Sequence, residues 1–175
     1  MRYHATHLKD ACIVEVQAHE DERGFFARTY CAREFREHRL ADAFVQCSIS
    51  WNPRKGTLRG LHFQRPPASE AKLVRCTAGA LWDVIVDLRP DSPTYLQHLG
   101  VELSSSNRLA IYIPEGFAHG FQTLQDHTEV FYQMSEFYAP EHASGLRYND
   151  ATLGITWPLE VTLISERDRS WPLLS

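Results

Sequence analysis

The chain has 175 residues, 43% hydrophobic and 23% charged; the length suits one domain spanning 1–175, and the composition excludes intrinsic disorder. Lys and Arg total 18 against 22 Asp and Glu, a formal net charge of −4, which excludes a protein that grips nucleic acid by neutralising phosphates. No apolar run approaches the ~18 residues of a membrane span.

The stretch from Met1 to Asp10 is polar and lacks the apolar centre of a signal peptide, so a cytoplasmic protein is expected. A strand is predicted over 11–17, and a helix over 32–39, the best helical pattern in the chain. Strands follow over 44–50, 58–64 and 71–76. The segment 81–88, L-W-D-V-I-V-D-L, is rich in β-branched residues. Its parity sets Trp82, Val84 and Val86 on one face and Asp83, Ile85 and Asp87 on the other, and R-P-D-S-P then ends it with turn chemistry. Further strands are predicted over 95–103, 109–113, 120–123 and 128–138. The last sets Tyr132 and Tyr138 on one side, roughly 20 Å apart if unbroken. From Tyr148 the apolar residues scatter around Pro158, and loops with short turns are expected. About nine strands at intervals near ten residues predict an all-β sandwich or barrel, able to hold one small ligand. Cys12, Cys31, Cys47 and Cys76 are widely spaced without C-x-x-C, and read as reduced, partly buried thiols.

Two clusters carry most of the polar chemistry. G-T-L-R-G-L-H-F-Q (56–64) brackets Arg59 with glycines and sets His62 in an otherwise apolar strand. P-E-G-F-A-H-G-F (114–121) frames His119 just after a strand. Lys72 opens the strand between them. Each group also has a plain structural reading. His62 would be a hydrogen-bonded core residue, Arg59 a rim ion pair, Lys72 a solvated strand end, Tyr132 and Tyr138 core aromatics, and Asp83 and Asp87 a solvent face. Their convergence on strands of one small barrel favours a ligand site.

The Pro114-x-Gly116-x-x-His119 pattern resembles the second half of the cupin signature. The first half of that signature in metal cupins has H-x-H, where this chain has His62-Phe63-Gln64; the lost imidazole argues against a tightly held divalent metal. Over nearly its whole length the chain resembles the dTDP-4-dehydrorhamnose 3,5-epimerase family, metal-free cupins that epimerise nucleotide-linked 4-keto-6-deoxy sugars. The resemblance is carried by D-E-R-G-F-F (21–26), the 56–64 block, E-A-K-L-V-R-C (70–76), W-D-V-I-V-D-L-R (82–89) with S-P-T (92–94), and the 114–121 block. It continues through T-E-V-F-Y (128–132), W-P (157–158) and I-S-E-R-D (164–168).

This resemblance implies a cupin-type jelly-roll with a few short helices, no cofactor and no metal. It implies His62 as base, oriented by Asp168, Tyr132 as acid on the opposite face, and Lys72 beside the ketone oxygen. A His suits the base because its unperturbed pKa lies near 6.5. The substrate-binding residues it implies are Arg23, Phe26, Gln46, Ser48, Arg59, His119, Tyr138, which would stack on the base, and Arg167. A nucleotide-diphosphate sugar as partner, a homodimer, and a role in deoxysugar biosynthesis such as that of dTDP-rhamnose are implied with them. Three positions depart from the family pattern: Ser48 stands for Asn, Arg28 for Glu, and Ala143 for Glu. All three belong to the binding shell. The alternatives are a 3,4-ketoisomerase or a metal cupin using His62 and His119 on the same barrel, or a non-catalytic nucleotide-sugar binding module.

Overall fold

The computed structural model describes residues 1–174. In chain order the elements are β1 (Arg2–Ala5), β2 (Cys12–Glu15), β3 (Ala18–Asp21), β4 (Gly24–Ala27), α1 (Ala32–Glu37), β5 (Gln46–Asn52), β6 (Thr57–Gln64), β7 (Lys72–Ala78) and β8 (Ala80–Asp87). They continue with β9 (His98–Ser104), β10 (Leu109–Ile113), β11 (Phe117–Thr123), β12 (Thr128–Met134), β13 (Ala143–Gly145), β14 (Leu163–Ile164) and α2 (Glu166–Ser170). One sheet runs β1-β2-β10-β7-β12-β5 and the other β13-β6-β11-β8-β9, with β14 added in parallel to β6. The chain thus forms the all-β two-sheet architecture that its alternating segments and turns predict, in the jelly-roll form that the family resemblance implies.

The two sheets face each other across an apolar interior built from Val74, Cys76, Leu81, Ile85, Leu103, Ile111, Ile113, Phe117, Phe121 and Val130. Two further clusters lie on outer faces. Phe35 of α1 is wholly buried against Val14, Leu73, Ala110 and Tyr112. A helix of six residues cannot persist alone. Burial of Phe35, on the order of 2–3 kcal/mol, and its edge contacts with Tyr3, Tyr30 and Phe44 hold it. On the other sheet, Leu61, Val84, Val86 and Ala118 are covered by Leu146 and Leu153.

That cover corrects one sequence reading. With both faces of β8 buried, the Asp83–Asp87 face is interior, not solvent, and both aspartates are fully buried. Asp87 accepts from the Arg89 backbone N–H at 3.0 Å, Arg89 Nε at 2.9 Å, Arg89 Nη2 at 2.8 Å, Ser92 Oγ at 2.5 Å and Thr94 Oγ1 at 2.7 Å. The R-P-D-S-P-T turn is therefore shaped around one carboxylate.

Other elements differ in extent or were not legible. The strand expected over 128–138 stops at Met134: Ser135 donates its N–H to the Ala71 carbonyl at 3.0 Å, but its hydroxyl in place of its carbonyl takes the returning Ala71 N–H at 2.8 Å, which ends the ladder. Tyr132 and Tyr138 therefore do not share a strand. The expected 95–103 strand starts at His98, since Thr94–Gln97 forms a hydrogen-bonded turn. β1 and the β3–β4 hairpin were missed: β3 is exposed at every position and has no apolar alternation to read. β14 and α2 lie in the segment expected to be loop. Cys47 is exposed, unlike the partly buried thiol expected. Among the described residues no helix is long and apolar enough to cross a membrane.

Candidate active site

The polar end of the interior lies between β6, β11 and β13 on one sheet and β5, β7 and β12 on the other. β6 and β11 approach unusually closely there. Gly60 has φ +119, and a Cβ on it would meet Gly120 Cα at 2.5 Å; a Cβ on Gly120 would meet the Arg59 carbonyl oxygen at 2.7 Å. The two glycines allow the register that pairs His62 with His119.

The imidazole of His62 donates from Nε2 to Asp168 Oδ1 at 2.6 Å. Asp168 sits at the third position of α2, where its own amide donates to the Ser165 hydroxyl at 3.1 Å, the N-terminal cap of this short helix. Its other oxygen accepts the Gly60 N–H at 3.2 Å. Burial works to raise the Asp168 pKa, but the hydrogen bond and charge of His62, with help from Gly60 and Ser165, outweigh it and the net shift is downward. An ionised carboxylate only accepts, so Nε2 carries the proton and Nδ1 is the ring's basic atom. The edge of Trp171 lies against the His62 ring, centroids 6.4 Å apart.

On the opposing sheet Tyr132 projects from β12 toward the interior core, with its ring 6.1 Å from that of His119. Burial pushes its phenol well above the ordinary value, opposed in part by a hydrogen bond with Ser50. It therefore keeps its proton at neutral pH. Lys72 is buried at the start of β7 and its ammonium lies 3.0 Å from Glu70 Oε1. His119 is buried with Nε2 2.8 Å from Asp83 Oδ2, and Asp83 Oδ1 has no hydrogen-bond partner among the described residues.

A cavity of about 240 Å³ is lined by Gln46, His62, Lys72, Tyr132, Tyr138 and Arg167, with Ala143 also at its wall. A second, of about 280 Å³, shares His62 and is lined by Arg59 and Asp168. Arg59 Nε donates to the fully buried Asn52 Oδ1 at 2.8 Å. Ser48 lies opposite Tyr132 in the β5–β12 ladder. Arg167 sits over the Trp171 ring, 5.0 Å from its centroid. Arg23 and Phe26 are not brought to either cavity: they stand on the β3–β4 hairpin, where Arg23 pairs with Asp21 and Phe26 is 76% exposed. Arg28 is likewise away from both, paired with Glu34 at 3.5 Å, so its reversed charge does not face the site of its own chain.

Sequence reasoning missed Glu70, Asn52, Asp83 and Trp171. Glu70 lies two residues from Lys72 on a loop, and no periodicity marks the pairing. Asp83 was visible as a polar residue in an apolar strand, the one signal that could have found it.

This arrangement places a carboxylate-held imidazole, a phenol that holds its proton and an ammonium at the wall of one cavity, groups suited to moving protons at a carbon next to a carbonyl. Comparison with known proteins agrees. The family model described as dTDP-4-dehydrorhamnose 3,5-epimerase matches residues 5–175. A curated dTDP-4-dehydrorhamnose 3,5-epimerase from Methanothermobacter thermautotrophicus is 47% identical over 173 residues, covering 97% of this chain and 92% of that protein. The crystal structure of the Bacillus anthracis dTDP-4-dehydrorhamnose 3,5-epimerase, with TDP and PPi bound, superposes with TM-score 0.96 at 42% identity, covering 99% of each chain. A 3'-monoepimerase from Streptomyces bikiniensis in complex with dTDP-quinovose superposes with TM-score 0.90 at 30% identity, covering 97% of this chain and 86% of that one. On a full-length family match and near-coincident backbones, this chain belongs to the dTDP-4-dehydrorhamnose 3,5-epimerase family of isomerases.

Proposed function

We propose that the protein epimerises a dTDP-linked 4-keto-6-deoxyhexose by removing a proton from a carbon next to the ketone and returning one to the opposite face. The observation that carries this reading is that a carboxylate-held imidazole and a proton-holding phenol line one cavity from opposite sheets. In this reading His62 Nδ1 takes the α-proton and the C–H electron pair moves into the ketone to form an enolate. The Lys72 ammonium offsets the charge on the enolate oxygen. Tyr132 then donates its phenolic proton to the other face, and solvent restores both groups. Gln46, Ser48, Arg59, His119, Tyr138 and Arg167 hold the nucleotide and the sugar, Tyr138 by stacking on the base. The whole of 1–175 acts as one domain. The four unpaired cysteines suit the reducing cytoplasm as its setting.

The test is proton NMR in heavy water with dTDP-4-keto-6-deoxyglucose. The expected result is deuterium at carbon 3, carbon 5 or both, with epimerised product; tight binding without any exchange would sink the reading and favour a binding module. Tyr132→Phe separates the two proton transfers. With the acid gone, His62 still abstracts and can only return a deuteron to the same face, so exchange persists while epimerised product falls by about 10²-fold. Loss of exchange together with product would remove Tyr132 from the role of acid.

The same reading includes a homodimer. Ile49 and Trp51 are 65% and 55% exposed on the outward side of β5, an edge strand. Arg75, packed beneath the β3–β4 hairpin, donates to the Thr29 carbonyl, and among the described residues no carboxylate is within ion-pair reach. Burial depresses its pKa to about 10. The hairpin is anchored to the barrel through Phe25 beneath Arg108, while Phe26 is exposed, so its tip with Arg23 is suited to reaching a second copy's cavity. Sedimentation at micromolar concentration should give a species of twice the 20.1 kDa chain mass, and Ile49→Glu with Trp51→Glu should weaken association at least about 10²-fold. A monomer at that concentration would remove the dimer.

A further inference from the structure

Gln64 stands two residues beyond His62, where H-x-H would require a second imidazole, and its amide is fully committed. It is only 4% exposed. Its Nε2 donates to the Ala68 carbonyl at 2.9 Å and to the Phe137 carbonyl at 3.1 Å, and its Oε1 accepts the Ala139 N–H at 2.6 Å. From the facing sheet, Gln46 Oε1 accepts the Tyr138 N–H. The peptide unit joining Phe137 to Tyr138 is therefore held at both ends, its carbonyl by Gln64 and its N–H by Gln46. The next N–H along is held by Gln64 again. The Tyr138 ring itself is 57% exposed at the cavity wall and has no side-chain hydrogen bond or ring stacking among the described residues. The clamped backbone therefore sets the point and direction from which the ring leaves the chain, and so limits the rotamers that can face the cavity. Holding a carbonyl and an N–H on the same loop needs a side chain that donates and accepts at once, which an amide does and a leucine or carboxylate does not.

We propose that Gln64 is a positioning residue for nucleotide binding: it fixes the 135–140 loop so that the Tyr138 ring is presented ready-oriented to the base of a nucleoside diphosphate. The inference rests on the reading of Tyr138 as the stacking residue. Because the loop is fixed beforehand, the ligand does not bear the cost of ordering it.

The experiment measures the Kd of dTDP by calorimetry and the KM and kcat for dTDP-4-keto-6-deoxyglucose, in Gln64→Leu, Tyr138→Ala and the double variant. Tyr138→Ala should weaken dTDP by about tenfold or more, the range of base–aromatic stacking. Gln64→Leu should raise Kd and KM about tenfold with kcat within about twofold. In the Tyr138→Ala background it should add less than about twofold, because there is no longer a ring to orient. Gln64→Glu, which keeps the volume, covers the case in which Gln64→Leu does not fold. It should bind weakly at neutral pH and recover toward wild type, compared at the same pH, when acid protonates its carboxyl and restores a donor. A full tenfold loss from Gln64→Leu on top of Tyr138→Ala, or no change in Kd on Gln64→Leu while Tyr138→Ala weakens binding, would overturn the proposal and leave Tyr138 as the stacking residue. No change in Kd on Tyr138→Ala itself would overturn the stacking reading, and the proposal with it.

Discussion

His62→Ala should lose at least about 10³-fold in epimerised product and lose deuterium exchange at both sugar carbons. Removal of a positioned base costs roughly 10²–10⁴-fold, and here both the exchange and the product depend on the first abstraction. The dTDP affinity should stay within a few-fold, since the nucleotide reading relies on Tyr138 and its loop. The variant should also fold, because the His62 side chain is 44% exposed and Asp168 keeps its bond from the Gly60 amide. Asp168→Asn should fall in the same range while leaving His62 in place. A carboxamide no longer stabilises a charged imidazole and can turn its own N–H toward Nε2, selecting the wrong tautomer. Full exchange at both carbons in His62→Ala would require a different base.

The largest stability loss is expected from Asp87→Ala. Five hydrogen bonds converge on this buried carboxylate from Arg89, Ser92 and Thr94. Arg89 carries the network on to Asp10 at 2.9 Å and to the Lys9 carbonyl at 2.8 Å, so one residue ties the end of β8, the 88–94 turn and the N-terminal segment together. Removing one partner of a buried ion pair costs about 3–5 kcal/mol, and the partial exposure of Arg89 puts this case near 3. For a chain of this size that is a fall in Tm of roughly 6–12 °C. The pH dependence has a definite sign. Burial works to raise the Asp87 pKa, but the bonds from Arg89, Ser92 and Thr94 overcome it and hold the carboxyl well below the usual carboxylate range. A group depressed on folding stabilises above its unfolded pKa of about 3.9 and loses that contribution as the pH falls toward its folded value. The Tm gap between wild type and Asp87→Ala should therefore be full at pH 7 and narrow below about pH 4. A gap that does not change between pH 7 and pH 3 would assign the loss to packing alone.

The sequence made the barrel and much of the site legible, for reasons tied to particular residues. His62, Lys72 and Tyr132 sit on strands whose alternation or motif block was clear, and their parity sends them inward. Asp168 was reached only through the family resemblance carried by I-S-E-R-D; the short helix that Ser165 caps lies where loop was expected. Asp83 and Asp87 were misread because alternating polar residues on a strand ordinarily mean solvent, and the cover over β8 comes from Leu146 and Leu153, about 60 residues away in sequence. Tyr138 was misplaced because Ser135 looks like any strand residue until its hydroxyl is seen to take the Ala71 amide. The clamp of Gln64 was invisible for a similar reason: its partners are backbone groups, which every residue carries.

The partners of the His62–Asp168 bond are 106 residues apart in the chain. At ~5–20 residues per second of synthesis, every nascent copy carries His62 for roughly 5–20 s before its carboxylate partner has been made. His62, Lys72, His119 and Tyr132 all leave the ribosome ahead of Asp168, and β6 waits for β13 and β14 to border it. A polypeptide stalled between residues 132 and 168 would carry all four of these side chains while His62 still lacks its carboxylate partner.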